Sequence, residues 1–159
     1  MTFAIRPAGA ADIPTILQFI RDLAEFENAL DEVVATEETL HAAMFGPGSV
    51  TSAVMLEEDG VAAGFALWFY NFSTWQSRKG LYLEDLYVAP EFRGRGAGRL
   101  LLKELARIAV EEGCGRFEWS VLDWNTSAIR VYEAVGAEPQ GEWIRYRLSG
   151  DSLTTFAKS

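Results

Sequence analysis

The sequence has a single cysteine, Cys114, and a single histidine, His41. One thiol excludes an intrachain disulfide and a multi-cysteine zinc site, and one imidazole excludes a histidine-rich metal centre. No metal is expected. Basic residues are scarce: 14 Lys and Arg stand against 23 Asp and Glu, for a net charge of −9. A general nucleic-acid binder needs a basic footprint, so no nucleic-acid partner is expected. Long apolar runs are missing too. The longest, Val61 to Phe69, is far below a membrane span. Met1-Thr2-Phe3-Ala4-Ile5-Arg6-Pro7 lacks the layout of a secretory signal. These absences predict a soluble cytoplasmic protein with no membrane partner. At 159 residues the chain is too short for a (β/α)₈ barrel, and it reads as one domain over residues 1–159.

What is present is a core: 49% of residues are hydrophobic and 13% aromatic, which argues against disorder. The charge is unevenly spread. Residues 22 to 60 carry ten acids and no Lys or Arg, whereas residues 93 to 107 carry Arg93, Arg95, Arg99, Lys103 and Arg107 against Glu104 alone. An acidic end and a basic end suggest two ligands of opposite sign, although each single charge also fits a solvated helix face.

Periodicity predicts a strand over Thr2 to Arg6. A helix follows, from an Asp12 cap to about Phe26, and then a short helix from Thr36 that stops at Gly46-Pro47-Gly48. Ser49 to Glu57 and Val61 to Tyr70 read as a hairpin about Glu58-Asp59-Gly60. Asn71 to Lys79 reads as a polar loop and Leu81 to Val88 as a strand. Gly98 to Glu112 reads as a helix, Arg116 to Leu122 as a strand, Asn125 to Val135 as a helix and Trp143 to Leu148 as a last strand. The order predicts an α/β (α+β) domain with a mixed sheet.

The sharpest local feature is Tyr87-Val88-Ala89-Pro90-Glu91-Phe92-Arg93-Gly94-Arg95-Gly96-Ala97-Gly98, a strand entering a glycine-rich turn that opens a helix. Glycines let backbone approach an anion, and a helix start holds a phosphate. No Gly-Lys-[Ser/Thr] follows, so a Walker A loop is excluded. Gly94-x-Gly96 also fits a dinucleotide fingerprint, with Glu118 about 20 residues on, but Arg99 stands where that motif needs a small residue and the chain lacks a second half. Glu84 and Asp85 are adjacent acids inside an apolar strand. Alternation sends them to opposite faces, and burying either requires a partner; a structural ion pair with an Arg is the competing reading. Asn125, Ala128 and Tyr132 share one helix face, where a Tyr commonly fills core. Trp75 lies in an otherwise polar segment, where it reads as a loop anchor or as a wall for a cation. Cys114 and His41 have no partner in the sequence that would make them reactive.

Arg93-x-x-Gly96-x-Gly98 after Tyr87-Val88 resembles the acetyl-CoA motif of the GNAT N-acetyltransferase superfamily. Asn125-x-x-Ala128-x-x-x-Tyr132 with Gly136-Ala137 resembles its second CoA motif. Further landmarks resemble the diamine (spermidine/spermine) and thialysine acetyltransferase group over nearly the whole chain. They are Arg6-Pro7-Ala8, Leu23-Ala24-Glu25-Phe26-Glu27, Phe72-Ser73-Thr74-Trp75, Leu81-Tyr82-Leu83-Glu84-Asp85, Leu122-Asp123-Trp124-Asn125 and Glu142-Trp143.

The resemblance implies a mostly antiparallel sheet, flanked by helices and splayed at an acetyl-CoA site, and acetyl transfer to a primary amine of a small cationic substrate in a ternary complex. It implies that Tyr132 is the general acid and Glu84 the base. Asp85, Phe26, Glu27 and Trp75 would line the amine pocket with Glu84. Leu86, Val88, Arg93, Gly94, Arg95, Gly96, Gly98, Arg99, Asn125 and Tyr132 would hold acetyl-CoA, and the protein would be a homodimer sharing the 143–148 strand. Ser73 stands where the polyamine enzymes tend to carry an acid, which is the thialysine-type pattern and moves a lysine-like amine ahead of a polyamine. A protein or peptide acetyltransferase and a non-catalytic acetyl-CoA sensor are the alternatives.

Overall fold

A computed structural model describes residues 2–159. It groups the chain into two compact units, one up to Asp123 and one over Trp124–Ser159.

The first unit is built on a five-stranded sheet in the order β1-β2-β3-β4-β5, formed by Phe3–Pro7, Thr51–Glu58, Val61–Ser73, Arg78–Val88 and Phe117–Trp119. The first four strands pair antiparallel and β5 joins β4 in parallel. The β2–β3 turn is Asp59-Gly60, with φ of 51° and 78°, the left-handed pair that a two-residue hairpin needs. Helices α1 (Ile13–Phe26) and α2 (Glu37–Phe45) accompany one face of the sheet, and α3 (Ala97–Glu111) packs its stripe of Leu101, Leu102, Leu105 and Ala109 as core. Thr36 caps α2 by accepting the Thr39 N–H, as its position predicts.

Phe19 of α1 sits 6.0 Å from the Phe65 ring and 5.2 Å from the Tyr87 ring, so the helix is anchored directly under the end of β4. Each ring buried this way contributes about 1.5–3 kcal/mol. That anchorage fixes where the acids at the end of α1 lie.

The second unit holds α4 (Thr126–Ala134) and α5 (Gly150–Ala157), neither with a fully buried residue. Three sequence expectations are corrected. The segment 71–79 is not a loop: β3 and β4 stay paired through Asn71↔Gly80, Phe72↔Lys79 and Ser73↔Arg78, leaving only 74–77 as the turn. Polar side chains line an exposed ribbon without disturbing its backbone ladder, and a Cβ on Gly80 would meet Asn71 Oδ1 at 2.5 Å, so glycine permits the close approach. The strand expected at 116–122 is only Phe117–Trp119. Trp143 to Leu148 forms no strand, and the chain instead ends in α5, which periodicity did not reveal.

Candidate active site

Strand β4 carries the two acids expected at the site, and its backbone is irregular where they lie. Leu67 pairs with Asp85 and Trp68 with Leu83, so Glu84 is the extra residue of a β-bulge. The apolar phase shifts accordingly. Leu83 and Leu86 face the same side, opposite Trp68 and Ala66, whereas Asp85 and Tyr87 face the α1 side, opposite Leu67 and Phe65. The expected simple alternation is thus replaced by a bulge that leaves Glu84 exposed and Asp85 largely enclosed.

Burial pushes the Asp85 carboxyl up to about 6, helped by the charges of Glu84 and Glu27. Glu27, just past the end of α1, is itself raised by burial. Three carboxylates therefore share one field, and they repel one another unless a cation lies among them. Glu84 and Glu27, both expected at the amine pocket, lie near enough to Asp85 for their charges to raise its pKa. Phe26 precedes Glu27 with its side chain about half exposed, and Trp75 lies in the β3–β4 turn, largely exposed.

Beyond the bulge the sheet opens. β5 pairs with β4 only over Leu81↔Phe117, Tyr82↔Glu118 and Leu83↔Trp119. Ala89 N–H donates to the Ala63 carbonyl, so antiparallel alternation turns the N–H groups of Leu86 and Val88 away from β3, toward the side where β5 has ended. A Cβ at Gly64, opposite Val88, would meet the Tyr87 carbonyl oxygen at 2.3 Å, so glycine is needed where β3 closes against this stretch.

After Val88 the chain makes a short 3₁₀ turn, Pro90–Phe92, and enters the glycine loop. Arg93 Nε donates to the Val88 carbonyl at 2.7 Å and folds the loop back on the strand. Gly94 and Gly96 have φ of 78° and 79°, and nothing lies within 4 Å of where a Cβ would stand on either. Gly96 caps α3, and the first bond back to it is Leu100 N–H to its carbonyl, so the N–H groups of Ala97, Gly98 and Arg99 have no acceptor within the helix. Open space above left-handed glycines, next to free helical N–H groups, fits a pyrophosphate. Arg93 and Arg99 are exposed beside it. Arg95 instead forms a bidentate ion pair with Glu58 at the end of β2. Sequence reasoning missed Glu58 as its partner; the only hint was an acid at a hairpin end in a strand otherwise committed to core.

In the second unit, Asn125 accepts the Ala128 N–H at 3.3 Å and caps α4, which explains an Asn there without any ligand. Tyr132, half-buried, lies one turn beyond Ala128 on the same face.

A strand bulge bearing acids, an opened sheet edge and a glycine-led helix start are the features expected of an acyl-CoA transferase. Residues 17–137 match the acetyltransferase (GNAT) family, and the chain belongs to it. It is 37% identical to a thialysine N-epsilon-acetyltransferase from Bos taurus over 96% of both chains. It is 32% identical to an L-ornithine N5-acetyltransferase from Arabidopsis thaliana, covering 97% of this chain and 87% of that one. Among solved structures, an integron cassette protein from V. cholerae superposes with a TM-score of 0.83 at 26% identity, covering 100% and 99% of the two chains. The chain is an N-acetyltransferase whose family uses acetyl-CoA.

Proposed function

We propose that the substrate is a small lysine-like amine, acetylated by direct transfer in a ternary complex within one domain that spans the whole chain. The observation that carries this reading is the group of three carboxylates, Glu27, Glu84 and Asp85, at the bulge where the sheet opens. A primary ammonium of pKa near ~10 arrives charged, so it must first be held and then lose a proton. Asp85 and Glu27 hold the cation in a partly desolvated site, and Glu84, exposed on the bulge, takes the proton. Phe26 and Trp75 wall the aliphatic stem and the charge.

Acetyl-CoA supplies the acetyl group as a thioester. The loop from Arg93 to Arg99 binds its pyrophosphate, mainly through the N–H groups of residues 94–99, with Leu86 alongside the rest of the molecule. The Val88 N–H donates to the carbonyl oxygen as negative charge develops there. Tyr132 gives its phenolic proton to the departing sulfur, so the products are an amide and a free thiol.

The reading extends to a cytoplasmic homodimer. No helix among the described residues is long and apolar enough to cross a membrane. Ser73 accepts the Gln76 N–H at 3.2 Å, closing the β3–β4 turn with a neutral hydroxyl where a polycation would profit from an acid. Competition of thialysine and spermidine for limiting acetyl-CoA in one vessel tests the choice of amine. Thialysine is expected to dominate, and a large preference for spermidine would overturn it.

A further inference from the structure

We propose that the Glu58–Arg95 ion pair is a strut that sets the shape of the glycine loop, making Glu58 a positioning residue for acetyl-CoA, and that Arg95 does not itself hold the pyrophosphate. The inference rests on the reading that this loop binds acetyl-CoA.

Arg95 is the one side chain between Gly94 and Gly96, both in the left-handed region. A loop segment with two such glycines is the softest backbone around the site, because glycine restricts its own conformation least. What fixes it is a socket at the far edge of the sheet. Glu58 is the last residue of β2, 6% exposed, and stands out as the buried charged side chain among the described residues. Arg95 reaches it with both terminal nitrogens, taking both carboxylate oxygens. Phe3, directly opposite Glu58 in the β1–β2 register, lies under the guanidinium at 4.7 Å. The same ring packs edge-on to Phe92, at 6.5 Å, in the turn that leads into the loop. The socket thus joins two strands, the turn and the loop through one guanidinium.

The alternative role for Arg95 is as a phosphate ligand. A guanidinium whose fork is spent on a buried carboxylate brings almost no net charge to an anion, and withdrawing it would leave Glu58 buried and unpaired. The shifts agree with a standing pair: Arg95 holds the Glu58 carboxyl below its usual range, and Glu58 raises the guanidinium. The phosphate-facing work then falls to backbone N–H groups, whose direction depends on the strut.

The two roles predict effects of opposite sign. In Glu58→Gln the anion competing for Arg95 disappears. A phosphate ligand would be freed, and CoA would bind more tightly. A strut would be lost, and CoA measured by calorimetry should bind on the order of tenfold more weakly. The KM for acetyl-CoA should rise in step, with kcat at saturation retained. The double variant with Arg95→Ala should lose little more than Glu58→Gln alone, because both lack the same pair, whereas Arg95→Ala by itself leaves Glu58 buried without its partner and should lose at least as much as Glu58→Gln. Arg95→Lys keeps a charge beside Glu58, so it preserves the fold while breaking the fork; it too should weaken CoA. Tighter or unchanged CoA binding in a folded Glu58→Gln or Arg95→Lys protein would overturn the strut while leaving the enzyme reading intact. Failure of the wild-type protein to bind CoA would overturn both.

Discussion

Burial at Asp85 sets a carboxyl pKa of about 6, between the ordinary value of 3.8 and neutrality. The group is neutral in the folded state over a range in which the unfolded chain would ionise it. Its contribution to stability is therefore complete below about pH 4 and is lost as pH rises through about 6, an effect of about 3 kcal/mol at most. Asp85→Asn should remove that slope: its melting temperature should match wild type near pH 4 and exceed it at pH 8. The same substitution should weaken amine binding at pH 8, where wild type presents the carboxylate. A melting difference that does not change with pH would show that Asp85 is not the titrating group. At Tyr132 the expectation is catalytic. Tyr132→Phe keeps the ring and removes the proton, so kcat should fall roughly 10²–10⁴-fold while acetyl-CoA affinity stays the same. Full activity in that variant would reduce Tyr132 to packing.

The bulge in β4 was legible in hindsight from one spacing. Leu81 and Leu83 keep a period of two, but the next residues on that face are Leu86 and Val88, so one position has been inserted at the acids. The glycine loop was legible outright, because left-handed backbone before a helix demands glycine and the sequence supplies it at Gly94 and Gly96. Gly96→Val tests that demand. Space is open around the position, so the cost is in φ, about 1–2 kcal/mol, and in the branched side chain now standing over the phosphate site. CoA titration should show binding abolished with the fold retained; undisturbed titration would make the loop a mere turn. Illegible were the elements that depend on a neighbour. Trp143 to Leu148 alternates apolar and polar residues like a strand, yet a period-two segment becomes a strand only where an edge accepts its hydrogen bonds, and here none is formed. The Arg95–Glu58 pair, 37 residues apart, is likewise a product of tertiary packing rather than of local pattern.

At the scale of the whole molecule the charges are less separated than in the sequence: Glu27, Glu84 and Asp85 lie where α1 ends and β4 bulges, but Glu58 of the acidic stretch pairs with Arg95 of the basic one, and Arg107 on α3 pairs with Glu104 and Glu111. On the proposed reading, a cation site and an anion site would lie in series along β4. In the second unit Trp143, Ile144, Tyr146 and Leu148 are each more than half exposed, an apolar group that a partner copy would cover. Light scattering at micromolar concentration should give about twice the chain mass, and a monomer would contradict the proposed homodimer. The central claim is that this acid-lined opening transfers acetyl from acetyl-CoA to a small amine. The most direct measurement is thiol release from acetyl-CoA across thialysine, lysine, ornithine, spermidine and a peptide amine. Release is expected to depend on the amine and to be fastest with a lysine-like amino acid. Release with the peptide amine alone would move the protein to a different substrate class, and CoA binding without release for any amine would contradict catalysis altogether.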